Sequence, residues 1–177
     1  MTYKELKMQT RETATYPKDL ANTYLILGLR GEYGELCDKF KKLIRDDGWN
    51  PQRDPWGQKI PDNKKEGIML ELGDLAWYII RYTEENEMYQ DIQDYEKNEI
   101  QDIIPGTFNR AGILYNLDIL KFAISELGGY ASISALNAIN NIANYLGYTI
   151  DDVFQMNYKK LMSRKMRDKI GGSGDYR

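Results

Sequence analysis

Apolar residues recur at three- and four-residue steps along most of the chain. Over residues 20–45 the series Leu25, Leu29, Tyr33, Leu36, Phe40 and Leu43 marks one buried face of an amphipathic helix. Over residues 65–85 the series Ile68, Leu72, Leu75, Ile79 and Tyr82 does the same. Two more helical patterns, over roughly 111–127 and 132–146, are closed by Gly128-Gly129 and by Gly147, residues that stop helices. A last helix opens at Thr149, with Asp151 and Asp152 in the first turn where anionic side chains suit the helix dipole, and runs to about residue 168. No sustained alternation of a strand appears, and no internal repeat. The pattern predicts an all-α protein, and the length of 177 residues fits one domain over residues 1–177.

Between the first two helices, residues 46–65 hold three prolines, two glycines and two tryptophans, which predicts a long loop of the kind that often forms a lid or binding loop. Trp49 and Trp56 in it are candidates to stack on a base or to anchor the loop. Residues 84–106 carry eight acids against Lys97 alone, and read as a solvated helix broken at Pro105-Gly106. The first 20 residues spread their charges and lack an apolar core, so no leader peptide is expected there. No apolar run is long enough to span a membrane. A soluble, cytoplasmic protein is the expectation.

Composition removes whole reaction classes. The chain has no histidine, which excludes Ser-His-Asp and Cys-His triads, histidine-based zinc proteases and Glu-x-x-His di-iron bundles. Cys37 is the one cysteine, so neither an internal disulfide nor a cysteine zinc site can form; a small core residue is expected there. Acid–base or metal chemistry has to come from carboxylates, lysines and tyrosines. A formal net charge of −3 argues against wrapping a nucleic-acid polymer through bulk charge. That charge is uneven: residues 159–177 are +5 and the rest −8. The basic end reads either as a solvated helix terminus favoured by the dipole or as a phosphate-contacting segment.

The polar faces of the two long helices carry the candidate chemistry. Gly28, Glu32, Glu35 and Lys39 share one face, and Gly67, Glu71, Asp74 and Tyr78 share another, each at steps of four, three and four. An acid pair at i, i+3 is ordinary on a solvated face. Two such pairs beside helix-interior glycines (Gly31, Gly34, Gly73) suggest close helix approach or room for a ligand. If the two helices pack antiparallel, four carboxylates converge, and a cation is their natural partner. All-oxygen ligation favours hard ions, Mg²⁺ first and Mn²⁺ second.

These residues carry a family likeness. GLRGEYGELCDKFKK, GIMLELGDLAWYI and YTIDDVFQMNYKKLMSR resemble the MazG-type nucleoside triphosphate pyrophosphohydrolases, all-α enzymes of the dimeric-dUTPase-like superfamily. The family's Glu-x-x-Glu and Glu-x-x-Asp pairs match Glu32/Glu35 and Glu71/Asp74, its later Asn-x-x-Lys matches Asn157 and Lys160, and Arg164 follows one turn on. The closing GSGDYR looks like the ending of small, often phage-encoded members. The resemblance implies a helical bundle of that type with an inserted helical segment at about 87–140. It implies Mg²⁺-dependent hydrolysis of (deoxy)nucleoside triphosphates between the α and β phosphates, giving the monophosphate and pyrophosphate. Glu32, Glu35, Glu71 and Asp74 would hold the metal, with Glu35 as proton acceptor, while Lys39, Asn157, Lys160 and Arg164 would bind substrate. A lysine at position 39, on the acid face, is more often a simple salt bridge, here to Glu35. A homodimer or homotetramer is implied too. The chain departs from the family at Gly31, where a further glutamate is common, in its longer loop, and in the insertion. Competing readings are an enzyme narrowed to dUTP, dCTP or a modified nucleotide, a non-enzymatic Mg²⁺- or nucleotide-binding regulator, and a catalytically silent helical protein that binds partners through the acidic insert.

Overall fold

The computed structural model describes residues 2–88, 112–126 and 129–167. The helices read from the apolar steps are present: α2 is Ala21–Asp46, α3 is Asp62–Glu85, α4 is Ile113–Glu126, α5 is Gly129–Tyr145 and α6 is Ile150–Met166. A further helix, α1 (Tyr3–Glu12), precedes them, and a short 3₁₀ turn, Lys18–Leu20, leads into α2. Among the described residues there is no strand, and no helix is long and apolar enough to cross a membrane.

Helix α1 was not foreseen, because its charges hide a short buried face of Tyr3, Leu6 and Thr10. Its start is set by a capping box: the Thr2 hydroxyl accepts from the Glu5 amide at 3.3 Å and the Glu5 carboxylate accepts from the Thr2 amide at 2.9 Å. The same device opens α6, where Thr149 and Asp152 cap each other at 3.2 and 2.8 Å. Helix α4 ends at Glu126, just ahead of Gly128-Gly129, while α5 opens at Gly129, earlier than the start near residue 132 read from the apolar steps. Gly147, at φ +87°, does fall just beyond the end of α5. The range read as an insertion contributes α4 and most of α5. The acidic run from residue 89 onward, the Pro105-Gly106 break and the GSGDYR tail lie outside the described residues.

Helix α3 is the centre of the bundle. It packs against α1, α2, α5 and α6, while α4 packs on α5 and α2. Surrounded on most sides, α3 buries Ile68, Met69, Leu72, Leu75, Ala76, Ile79 and Ile80. The α2–α3 pair is antiparallel: Asn86 donates to Asn22 at 2.9 Å near one end, the Tyr78 ring lies on Gly28, and Lys39 meets Glu71 toward the other end. On the far side of α3, a Cβ on Gly73 would sit 2.7 Å from the Cβ of Asn157 and 3.2 Å from the Val153 carbonyl oxygen. Only glycine lets α6 come this close.

The connection from α2 to α3 is folded around one buried acid. Asp54 accepts from the Trp49 indole at 3.1 Å and from the amides of Gln58 and Lys59 at 3.0 and 2.8 Å. Trp49 is buried against Phe40, at a ring separation of 5.5 Å, so it anchors the loop; Trp56 is exposed. The loop also holds the start of α4, through the Ile113 amide donating to the Pro55 carbonyl at 2.7 Å.

Candidate metal centre

Antiparallel packing of α2 on α3 turns the two acid pairs toward each other. Carboxylate oxygens of Glu32, Glu71 and Asp74 all lie within 4.8 Å of one another. Glu71 is buried, and Glu32 and Asp74 are half-buried. Glu35 stands exposed at the rim, outside that group of three. Three of the four acids expected from the spacing therefore converge, and the fourth borders them.

Cations from two helices flank the acids. Lys39 of α2 reaches across to Glu71 at 3.1 Å. From α6, Asn157 donates to one oxygen of Asp74 at 2.6 Å, and the Lys160 ammonium contacts the other. Asn157 is buried beside Gly73, which fixes its approach. Arg164, one turn beyond Lys160, is half-buried and has no ion-pair partner among the described residues. Thus α6 contributes Asn157 and Lys160 directly to the acid cluster.

The balance of charge is incomplete. Burial, then the charges of Asp74, Glu35 and Glu71, push the Glu32 carboxyl up to about 8, and Lys160 only partly offsets this. Burial also raises Glu71, against the pull of Lys39. Tyr78 was read from the sequence as packing. It does cover Gly28, and it also lies in the field of Glu32 and Asp74; burial raises its phenol, which stays neutral. Carboxylates that face one another at this distance, with one forced to keep its proton near neutral pH, form a donor set that fits a hard divalent cation.

Of the glycines singled out beside the acids, only Gly73 serves a close approach. Gly31 and Gly34 lie on the solvent side of α2 with nothing within 4 Å of a notional Cβ. Cys37 is half-buried and not a full core residue. Sequence reasoning missed Asp54, whose signal was a lone acid inside a Pro-, Gly- and Trp-rich turn.

No family model matches the chain, and no solved structure matches it either. The chain is similar to the gene 37 protein of Mycobacterium phage L5, at 31% identity over 68 residues, which is 38% of this chain and 51% of that protein. The match thus spans about half the length of this curated relative, whose name states no activity.

Proposed function

We propose that this protein is a divalent-cation-dependent hydrolase of nucleoside triphosphates, cleaving between the α and β phosphates to release pyrophosphate. The observation that carries this reading is the meeting of Glu32, Glu71 and Asp74 across two antiparallel helices, beside Asn157 and Lys160 from a third. The resemblance of the same residues to the MazG-type enzymes supplies the reaction class.

Glu32, Glu71 and Asp74 would hold Mg²⁺, or Mn²⁺ in its place. A bound cation supplies charge neutralisation and Lewis acidity at the triphosphate. Asn157 and Lys160 hold Asp74 in one orientation, and Lys39 does the same for Glu71. Lys160 and Arg164 then present positive charge on the α6 side, where a leaving pyrophosphate gains negative charge. Glu35, exposed and outside the group of three, is free to accept a proton from the attacking water. No covalent intermediate is required, consistent with a chain that lacks histidine.

The test is a panel of NTPs and dNTPs incubated with Mg²⁺ or with EDTA, with products separated by chromatography and Glu35→Gln and Asp74→Asn assayed in parallel. Monophosphate plus pyrophosphate, lost with EDTA and in both variants, is the expected result. Diphosphate plus phosphate would overturn the position of cleavage. No turnover of any nucleotide, together with no Mg²⁺ binding by calorimetry, would overturn the enzyme reading.

A further inference from the structure

Two of the three acids at the candidate metal centre already hold an ammonium group. The Lys39 ammonium reaches Glu71 from α2 at 3.1 Å, and lies 3.8 Å from the place of a Cβ on Gly67, one turn before Glu71. The Lys160 ammonium meets one oxygen of Asp74 from α6, and Asn157 donates to the other. Both ammoniums therefore sit on carboxylates whose oxygens lie within 4.8 Å of each other and of Glu32. A divalent cation can reach these acids only in competition with positive charge that the chain itself supplies.

These contacts differ in how firmly they are held. Asn157 is buried against Gly73, where α6 passes close to α3, and that packing fixes its amide. Lys39 and Lys160 are half-buried, and each carries its charge on a flexible four-carbon stem with three rotatable donors. Such a group can turn from a carboxylate to a phosphate oxygen without movement of a helix, since both oxygens accept charge-assisted hydrogen bonds. The carboxylates have less choice, because α2 and α3 keep them facing one another.

We propose that Lys39 and Lys160 hold the place of the cation until a triphosphate arrives, and so make the binding of cation and of triphosphate depend on each other. This rests on the hydrolase reading above. A cation alone has to displace ammoniums from Glu71 and Asp74, with nothing to receive them. A triphosphate alone brings negative charge against three carboxylates. When both bind, the ammoniums turn to phosphate oxygens and the carboxylates are left to the cation, so every charge is answered. The coupling is reciprocal, because each ligand raises the affinity for the other by the same factor. The two lysines thereby select the cation–triphosphate complex over either component alone.

The experiment is a titration of the full chain with Mn²⁺, followed by the paramagnetic signal of the free ion. It is run alone and with a triphosphate whose α and β phosphates are joined by a methylene group, allowing for Mn²⁺ held by that analogue in solution. The wild type should bind Mn²⁺ about tenfold or more tightly with the analogue than without it. Without the analogue, Lys39→Met and Lys160→Met should each bind Mn²⁺ about fivefold more tightly than the wild type, and each should gain less when it is added. Lys165→Met, which removes a cation paired to Glu12 and not to the cluster, should match the wild type and so separates release of a carboxylate from a change of net charge. Lys39→Met strands the buried Glu71, so it should melt lower than the wild type without a cation and recover with Mn²⁺. Lysine variants with no gain in Mn²⁺ affinity, a wild type indifferent to the analogue, or an equal gain in Lys165→Met would each overturn the proposal. Turnover in the nucleotide panel then judges the hydrolase reading separately, since coupling without pyrophosphate release would overturn that reading alone.

Discussion

Helix α3 carries two buried groups of charge about ten residues apart, and they are built on opposite plans. Near its C-terminal end Arg81 is 1% exposed, yet fully answered. It donates to the Tyr16 hydroxyl at 3.1 Å and to Glu85 at 2.6 Å. The same Glu85 oxygen accepts from Tyr16 at 2.7 Å and from Arg11 at 3.0 Å. Burial works to raise Glu85, but the hydrogen bonds from Tyr16 and Arg81 win and its carboxyl titrates below the ordinary range. At Glu71 the outcome is reversed, and burial raises its carboxyl against the pull of Lys39. Acids face acids, and the lysines that flank them leave Glu32 pushed up to about 8. A network that neutralises itself holds α1 on α3. A network left short of positive charge has a stability cost when no cation is bound and an affinity for whatever supplies the missing charge.

This contrast can be broken by experiment. The largest effect concerns pH. Glu32 has a folded value near 8 against 4.5 for the free side chain, so the folded state holds a proton that the unfolded chain has released. Its contribution to stability is fully present below 4.5 and drains away as pH rises toward about 8. Each unit of displacement is worth about 1.4 kcal/mol, so the metal-free protein should lose several kcal/mol across that window. Mg²⁺ should flatten the slope, since a ligand that binds only the folded state stabilises it. Melting curves over a pH series, with and without Mg²⁺, would show this; a flat or rising metal-free profile contradicts it.

Next in size, Arg81→Ala should cost about 3 kcal/mol in denaturant unfolding, because it removes a fully buried side chain, leaves a cavity beside Tyr16 and leaves Glu85 with only Arg11 and Tyr16 as partners. A cost below about 1 kcal/mol would mean that the two networks do not differ in kind. Smallest is Glu71→Gln. Removing one repelling charge offsets the loss of the Lys39 contact, so metal-free stability should shift by less than about 1 kcal/mol in either direction. The same variant should abolish the Mg²⁺-dependent rise in melting temperature.

The two networks also differ in how far the sequence reveals them. Glu32, Glu35, Glu71 and Asp74 announce themselves because four-three-four spacing fixes which side chains share a helix face. That the faces meet follows from antiparallel packing, which the spacing only allows. Lys39 is on the right face, but its partner Glu71 is on another helix and depends on how α2 and α3 are set against each other. Asn157 and Lys160 are apparent through the family likeness, whereas their common target, Asp74, depends on the close passage of α6 at Gly73. The Arg81 cluster was not legible at all. Nothing local marks an arginine as buried, and its partner Tyr16 lies 65 positions away. Helix α1 was half legible, since Thr2-x-x-Glu5 is a capping signature, but only two large apolar residues of its span are buried and no periodic stripe forms.

The hub at Asp54 has a consequence for how the chain withstands proteases. Residues 47–61 expose Arg53 and Lys59, both ready targets for trypsin, in a segment without a helix or strand. Cleavage needs a length of backbone to lift away and extend, and here the Arg53 amide is bonded to Asn50 and the Lys59 amide to Asp54, within a loop seated on Trp49. Nicking at these two sites should therefore track cooperative opening of the Asp54 hub and the helices it joins, so that the rate of digestion there reports on the integrity of the α2–α3 pair.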